Sequence, residues 1–237
     1  MRLPERILVL MTLLTAGGAA VADPIDLKPF RASYIAEWKG MTAAGSTVEL
    51  KKIDANLYTY SSVNTARGIF RMAFPDALTQ KSTFRIVDNQ VVPMLFEGSD
   101  EKERPINLTF DWQKKRVTGV AKEKLVDLEL PEGTLDAMSL QIASLRNLAS
   151  GNLKGKVWMI DSTKLKDYEL HLEGNARIET RLGELDTVIY TSSRTGDSES
   201  LTRTWVAPAL GYLPVKAERI KGRKVLITLL IESVEKQ

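Results

Sequence analysis

Apolar and polar residues alternate with a period of two over much of the chain, the spacing of β-strands that bury one face and leave the other wet. Phe30, Ala32, Tyr34, Ala36 and Trp38 share one face, opposite Arg31, Ser33 and Glu37, with Ile35 as the exception. Ile106, Leu108, Phe110 and Trp112 repeat the pattern against Asn107, Thr109 and Asp111, and Val126, Leu128 and Leu130 do so against Asp127 and Glu129. Such alternation belongs to antiparallel sheets. Turn-forming stretches separate the runs at short spacing, among them Lys39-Gly40, Asp88-Asn89-Gln90, Gly174-Asn175, Thr195-Gly196-Asp197 and Lys221-Gly222. The pattern predicts about a dozen strands in meander order.

One segment departs from this period. Leu135, Met138, Ile142, Leu145 and Ala149 recur at helical spacing after Gly133-Thr134, and Gly151 stands where helices commonly stop, which predicts one central α-helix over about 135–149. Arg67 to Met72 reads as a short helical turn or a loop crossing a sheet edge. The fold class is therefore mainly β, a strongly curved antiparallel sheet or open β-barrel with the helix plugging one opening. The connections Pro131 to Thr134 and Ser150 to Gly155 are short and lack a flexible linker's composition, so one domain is expected rather than two. Val225 to Ile231 is apolar on both faces apart from Thr228, which predicts a strand covered on both sides.

The first residues follow other rules. Arg2 and Arg6 precede the apolar run Ile7 to Ala16, and Ala20-Val21-Ala22 gives the small-x-small pattern of a signal-peptidase site, so residues 1–22 read as a signal peptide cut after Ala22. The run is shorter than the roughly 18–20 residues a bilayer span needs. No later run is a span candidate, so no transmembrane segment is expected in the mature chain, 23–237. This points to a bacterial periplasm.

Composition narrows the chemistry. Of 237 residues 43% are hydrophobic and 27% charged, enough for a packed core and far from the disordered regime. Without Arg2, Arg6 and Glu5 the 33 basic and 30 acidic side chains become 31 and 29, interleaved along the chain, which gives nucleic-acid binding no support. There is no Cys and a single His, so disulfides, thiol catalysis, lipid-modified cysteine and multi-histidine metal sites are excluded. No metal site and no cofactor are expected.

Several short stretches carry a resemblance. Arg203-Thr204-Trp205-Val206-Ala207-Pro208, followed by Tyr212-Leu213-Pro214-Val215-Lys216, resembles the closing signature of the DUF3108 family of secreted bacterial proteins. Tyr34 with Trp38-Lys39-Gly40 resembles its opening strand, Val92-Pro93 its early hairpin exit, and Asp136-Ala137-Met138-Ser139 the start of its central helix. The resemblance implies an envelope-located β domain over 23–237 and no assigned reaction. Independently of the family, Pro208 and Pro214 cannot donate ladder hydrogen bonds and Gly211 permits a turn, so this segment reads as a hairpin.

The candidate chemistry is sparse. His171 shares a strand face with Asp167, Glu169 and Glu173, which reads as a solvated polar face. No G-x-S-x-G elbow is present, and Gly151 to Val157 lacks the glycine spacing and the Ser or Thr of a phosphate loop. Asp100 to Arg104 reads as a charged hairpin tip. The aromatic residues either fill the core or line the concave face of an open barrel, where an amphipathic ligand would fit. In the second reading the ligand-binding residues are Tyr34, Trp38, Arg67, Phe70, Trp112 and Trp205, with Arg67 toward an anionic head group. No catalytic residue is assigned.

The favoured function is a non-enzymatic envelope protein binding a lipid or other amphipathic ligand. The alternative is a structural or protein-interaction module with an envelope protein partner, and the third reading a two-carboxylate carbohydrate-active hydrolase, whose acid pair would have to converge from distant strands.

Overall fold

The computed structural model describes residues 27–99, 104–153, 155–197 and 199–236. The predicted signal peptide and residues 100–103 of the charged tip lie outside them. Strands β1 (Phe30–Trp38), β2 (Met41–Lys52), β3 (Leu57–Ala66), β4 (Leu78–Val87), β5 (Gln90–Ser99), β6 (Pro105–Asp111), β7 (Arg116–Ala121) and β8 (Lys124–Glu129) form one up-and-down meander. Strands β9 (Lys156–Asp161), β10 (Lys164–Thr180), β11 (Gly183–Arg194), β12 (Ser200–Ala207), β13 (Leu213–Lys221) and β14 (Lys224–Lys236) form a second. The meanders join where β1 pairs antiparallel with β14, making one sheet of 14 strands among the described residues. It does not close, and β8 and β9 remain its edges.

The alternation settles which face is inside. Ala32 and Tyr34, then Leu50, Tyr58 and Tyr60, then Ile106, Leu108 and Phe110 point to one continuous buried cluster. A concave apolar face on an unclosed sheet needs a cover. Helix α1 (Ala137–Ala149) provides it, lying against β3, β4, β5 and β9 with Met138, Ile142 and Leu145 buried.

Its start differs from the predicted one by two residues. Leu135 forms a parallel bridge with Met159 of β9 and exchanges backbone hydrogen bonds with Trp158 O and Ile160 N at 2.9 and 2.8 Å, so it serves as an added edge pairing. Asp136 then caps the helix: its Oδ1 accepts from Met138 N and Ser139 N at 2.8 and 2.9 Å, while Ser139 Oγ accepts from Asp136 N at 2.9 Å. The other carboxylate oxygen accepts from Ser82 Oγ of β4 at 2.7 Å. Helix cap and docking point are thus the same side chain. Further contacts run along the helix: Tyr60 Oη donates to Gln141 Oε1 at 3.3 Å, and Arg146 Nη2 donates to Asn89 Oδ1 in the β4–β5 turn.

Arg67 to Met72 resolves as a loop leading into a 3-10 turn (Gly68–Met72), anchored where Arg67 N donates to Ala43 O at 2.8 Å. The β14 apolar run behaves in two ways. Ile231 is buried and Leu229 packs on the core, but Val225, Leu226 and Ile227 are 48, 38 and 46% exposed. Only the second half is covered, because the β10–β11 hairpin extends beyond the end of β12 and folds across β14 at the level of Glu232, where Arg181 Nη1 meets Glu232 Oε1 at 2.5 Å.

Asp136 and Ser82 have no exposure to solvent. Burial pushes the Asp136 carboxyl above its ordinary value of 3.8, the hydrogen bonds from Ser139, Ser82 and Met138 pulling the other way. The folded state therefore takes up this proton at a higher pH than the unfolded chain. Its contribution to stability falls as pH rises from 3.8 through the raised value. In urea denaturation, Asp136→Ala is expected to cost about 2–4 kcal/mol, as a lost cap plus buried donors left without an acceptor. Asp136→Asn is expected to cost less and to flatten the pH dependence in that window.

Candidate ligand-binding site

An enclosed, mainly apolar opening lies at the end of the sheet where β1 begins and β14 finishes. It is a cavity of about 330 Å³. Leu50, Leu145 and Leu213, all buried, form its floor, and Phe30, Leu210 and Val234 its walls. Lys28 and Lys236 stand in its lining as the charged residues. Local structure explains the void. Pro208 begins a 3-10 turn (Pro208–Leu210), Gly211 adopts φ +71° and Tyr212 φ +62°, so the connection between β12 and β13 bulges past the strand ends and carries Leu210 outward. The helix ends at Ala149, with Ser150 and left-handed Gly151 terminating it, and presents Leu145 to this opening. A wider groove of about 480 Å³ lies along the β10–β11 hairpin beside the exposed Arg177–Asp186 ion pair, an open surface rather than a container.

The six residues read from sequence as ligand-binding are not brought together, and none is among those lining the cavity. Tyr34 is buried beneath the β1–β14 seam and donates from Oη to Pro214 O at 2.9 Å. Trp205 is buried with Lys216 Nζ 4.6 Å from its ring centroid. Trp112 stacks on Phe110 at 6.3 Å and donates from Nε1 to Pro93 O at 2.6 Å. The other three do meet, at the opposite end of β1. Trp38 and Phe70 contact edge to face at 5.9 Å, and the Arg67 guanidinium lies over the backbone of Gly45, with Nη2 3.6 Å from Glu232 Oε2. A Cβ on Gly45 would come within 2.6 Å of that guanidinium.

The polar set around His171 is a solvated face. His171 Nε2 lies 3.5 Å from Glu169 Oε2, and Arg203 makes a bidentate pair with Glu173 at 2.7 and 3.1 Å. Among the described residues no group of three or more His, Asp or Glu is placed to hold a metal ion, and no helix is long and apolar enough to cross a membrane.

The family model for DUF3108, a protein family of unknown function, matches residues 33–222. The chain belongs to this family. No curated protein shows significant sequence similarity to it. Its fold is similar to that of a β-barrel-like protein of another uncharacterised family, DUF1849, from Brucella abortus, with a TM-score of 0.55 at 11% identity over 89% of this chain and 98% of that one. Weaker likenesses are to MucB in the MucA/MucB complex of Pseudomonas aeruginosa (TM-score 0.38, 10% identity, 88% of this chain and 51% of that one) and to a protein described as exported, with a YmcC-like fold, from Bacteroides fragilis (TM-score 0.43, 8% identity, 89% and 97%).

The family's opening and closing segments meet physically. Tyr34 and Pro214 are 180 positions apart in the DUF3108 chain, and their hydrogen bond spans β14 from β1 to β13. Pro214 stands where the β12–β13 register shifts, opposite Val206, so its carbonyl is available to a side chain. Burial pushes the Tyr34 phenol well above its ordinary value of 10.0, which keeps it a neutral donor. Tyr34→Phe leaves that carbonyl without its donor and is expected to lower stability by about 1–2 kcal/mol, read as a lower urea midpoint with an unchanged m-value.

Proposed function

We propose that this DUF3108 chain is a non-enzymatic periplasmic protein, exported by residues 1–22 as a signal peptide, whose single β domain over 23–237 holds one acyl chain of an anionic amphipathic molecule. The observation that carries the reading is the end cavity, with an apolar floor and walls and two lysines in its lining. Ligand sites are concave and mostly apolar with a few placed polar groups. At about 30 Å³ for each group the size of a water or methylene, 330 Å³ takes roughly eleven such groups. That is a single medium-length chain. Lys28 and Lys236 then face its head group.

The reading as a protein-interaction module has one observation in its favour. Strand β8 is an unpaired sheet edge, with Leu125 90% exposed, the arrangement on which a partner strand adds.

Isothermal titration of the mature chain with dodecanoate tests the proposal. Saturable binding of one molecule is expected. Lys28→Glu with Lys236→Glu is expected to weaken it about tenfold, from two exposed charge contacts of about 0.5–1 kcal/mol each. Leu210→Trp, which fills the cavity from a partly exposed turn, is expected to abolish it. Absence of binding, or binding unchanged in both variants, sinks the proposal.

A further inference from the structure

The end of the sheet opposite the cavity carries exposed apolar side chains on three neighbouring connections. The strand order β3-β2-β1-β14-β13 sets the β3–β4 loop, the β1–β2 turn and the β13–β14 turn side by side. The first contributes Ile69, Met72 and Phe74, at 72, 90 and 50% exposure; the second Trp38 and Met41; the third Val225, Leu226 and Ile227. Backbone and ring contacts tie them together. Trp38 stands opposite Met41 in register and edge-on to Phe70, Arg67 N donates to Ala43 O, and Glu37, next to Trp38, pairs with Thr228, next to Ile227. Eight large apolar side chains exposed at one end exceed the single scattered residues that need no explanation.

Basic residues are mixed among them. Lys39, Arg71, Lys221, Arg223 and Lys224 belong to these connections, against Glu37 and Asp76. Lys39 Nζ lies 4.5 Å from the Trp38 ring centroid, an ammonium held beside an indole. The acidic β11–β12 turn, with Asp197 and Glu199, adjoins this end beside Gly222, whose N donates to Glu199 O at 2.7 Å, and beside Lys221, which stands opposite Ser200 in register. Since β12 lies beyond β13 from β1, that turn flanks the basic area rather than dividing it.

We infer that this end of the molecule docks on the surface of an anionic lipid bilayer, with Trp38, Ile69 and Met72 entering the interface and Lys39, Arg71 and Arg223 facing lipid phosphates. Shape and charge together favour a bilayer over a protein. The apolar groups sit on projecting turns instead of in a groove, so they suit a soft surface that fills in around them. Indole rings settle at the membrane–water boundary. Long basic side chains lay their stems on apolar surface and lift their charges toward head groups, and each adds attraction to an anionic leaflet. Docking this end leaves the cavity open to solvent, since Phe30 and Trp38 lie at opposite ends of β1, about 26 Å apart at strand rise. The inference does not depend on the cavity's holding a ligand.

The test is flotation of the mature chain with vesicles of phosphatidylglycerol and phosphatidylethanolamine, beside vesicles of phosphatidylcholine alone. The wild type is expected to float with the first, to float far less with the second, and to be released as ionic strength rises. Arg71→Glu with Arg223→Glu is expected to weaken binding to the anionic vesicles at least tenfold. Ile69→Ser with Met72→Ser, two exposed loop positions whose change leaves the core intact, is expected to weaken it by a similar factor, with the thermal midpoint unchanged as a check on folding. A wild type that stays at the bottom with anionic vesicles, or both folded variants floating as well as the wild type, overturns the inference.

Discussion

The buried carboxylate of Asp136 holds together what the sheet alone cannot. Among the described residues, an unclosed sheet of 14 strands has an apolar concave face exposed between the edges β8 and β9, and a single α-helix of 13 residues must cover it. That helix is about 20 Å long, too short for its stability to come from its own hydrogen bonds. Its position must therefore be set by contacts with the sheet. Asp136 supplies the first of these by satisfying two backbone donors of the helix and one hydroxyl of β4 with the same side chain. With a carboxylate so deeply buried, a misplaced helix would strand a charge in the core, so the contact specifies one geometry as well as adding stability. From there the helix axis is fixed by Gln141 against Tyr60 and Arg146 against Asn89.

The end cavity follows from this placement. The helix is anchored at its start and runs toward the turn between β4 and β5. Leu145 is the helical residue that reaches the opening. The rest of the opening is lined by Leu27 to Phe30, Leu50, the Ala209 to Leu213 segment and the end of β14. The same economy of cover operates on the outer side, where the long β10–β11 hairpin shields β14 near Glu232 but stops short of Val225.

Much of this was legible in the sequence, and the reasons for the remainder are physical. The period-two runs at Ile106 and Val126 named the inward residues, because pleat geometry leaves only two choices of face, whereas in the run at Phe30 the last residue, Trp38, is exposed and the exception, Ile35, is buried. The helix and its stop at Gly151 were readable from spacing and from the need for a left-handed residue. Spacing alone does not find its cap, which only the family resemblance places at Asp136, since a buried Asp in a β-rich chain looks like any other acidic residue until Ser82 is brought to it from 54 positions away. Composition predicts Val225 to Ile231 to be covered throughout, and only its second half is. Composition reports that both faces of a strand are apolar but not how far a neighbouring hairpin extends. The aromatic set illustrates the same limit. Tyr34, Trp112 and Trp205 all use polar atoms or neighbouring cations inside the packed structure, which alternation cannot distinguish from lining a void. The cavity residues Lys28, Leu210 and Lys236 sit at strand ends and in a turn, where periodicity carries no signal.

The two ends of the molecule place apolar and cationic groups together in opposite ways. At one end Phe30, Leu210 and Val234 surround a hollow with Lys28 and Lys236 in its lining. At the other Ile69, Met72 and Ile227 project into solvent with Arg71 and Arg223 beside them. A concave apolar surface gains most from a ligand small enough to enter it, because water held there is released only by something of matching size. A convex one gains from a surface that deforms around it. Sheet order forces this division: at one end the tight β1–β2 and β13–β14 turns and the longer β3–β4 loop expose their flanking side chains, and at the other the start of β1, the end of β14 and the Pro208 turn bound a hollow. An amphipathic molecule in the hollow and a bilayer under the turns would thus be held at opposite ends of β1, with the β1–β14 seam and its Tyr34 to Pro214 hydrogen bond as the rigid link between them.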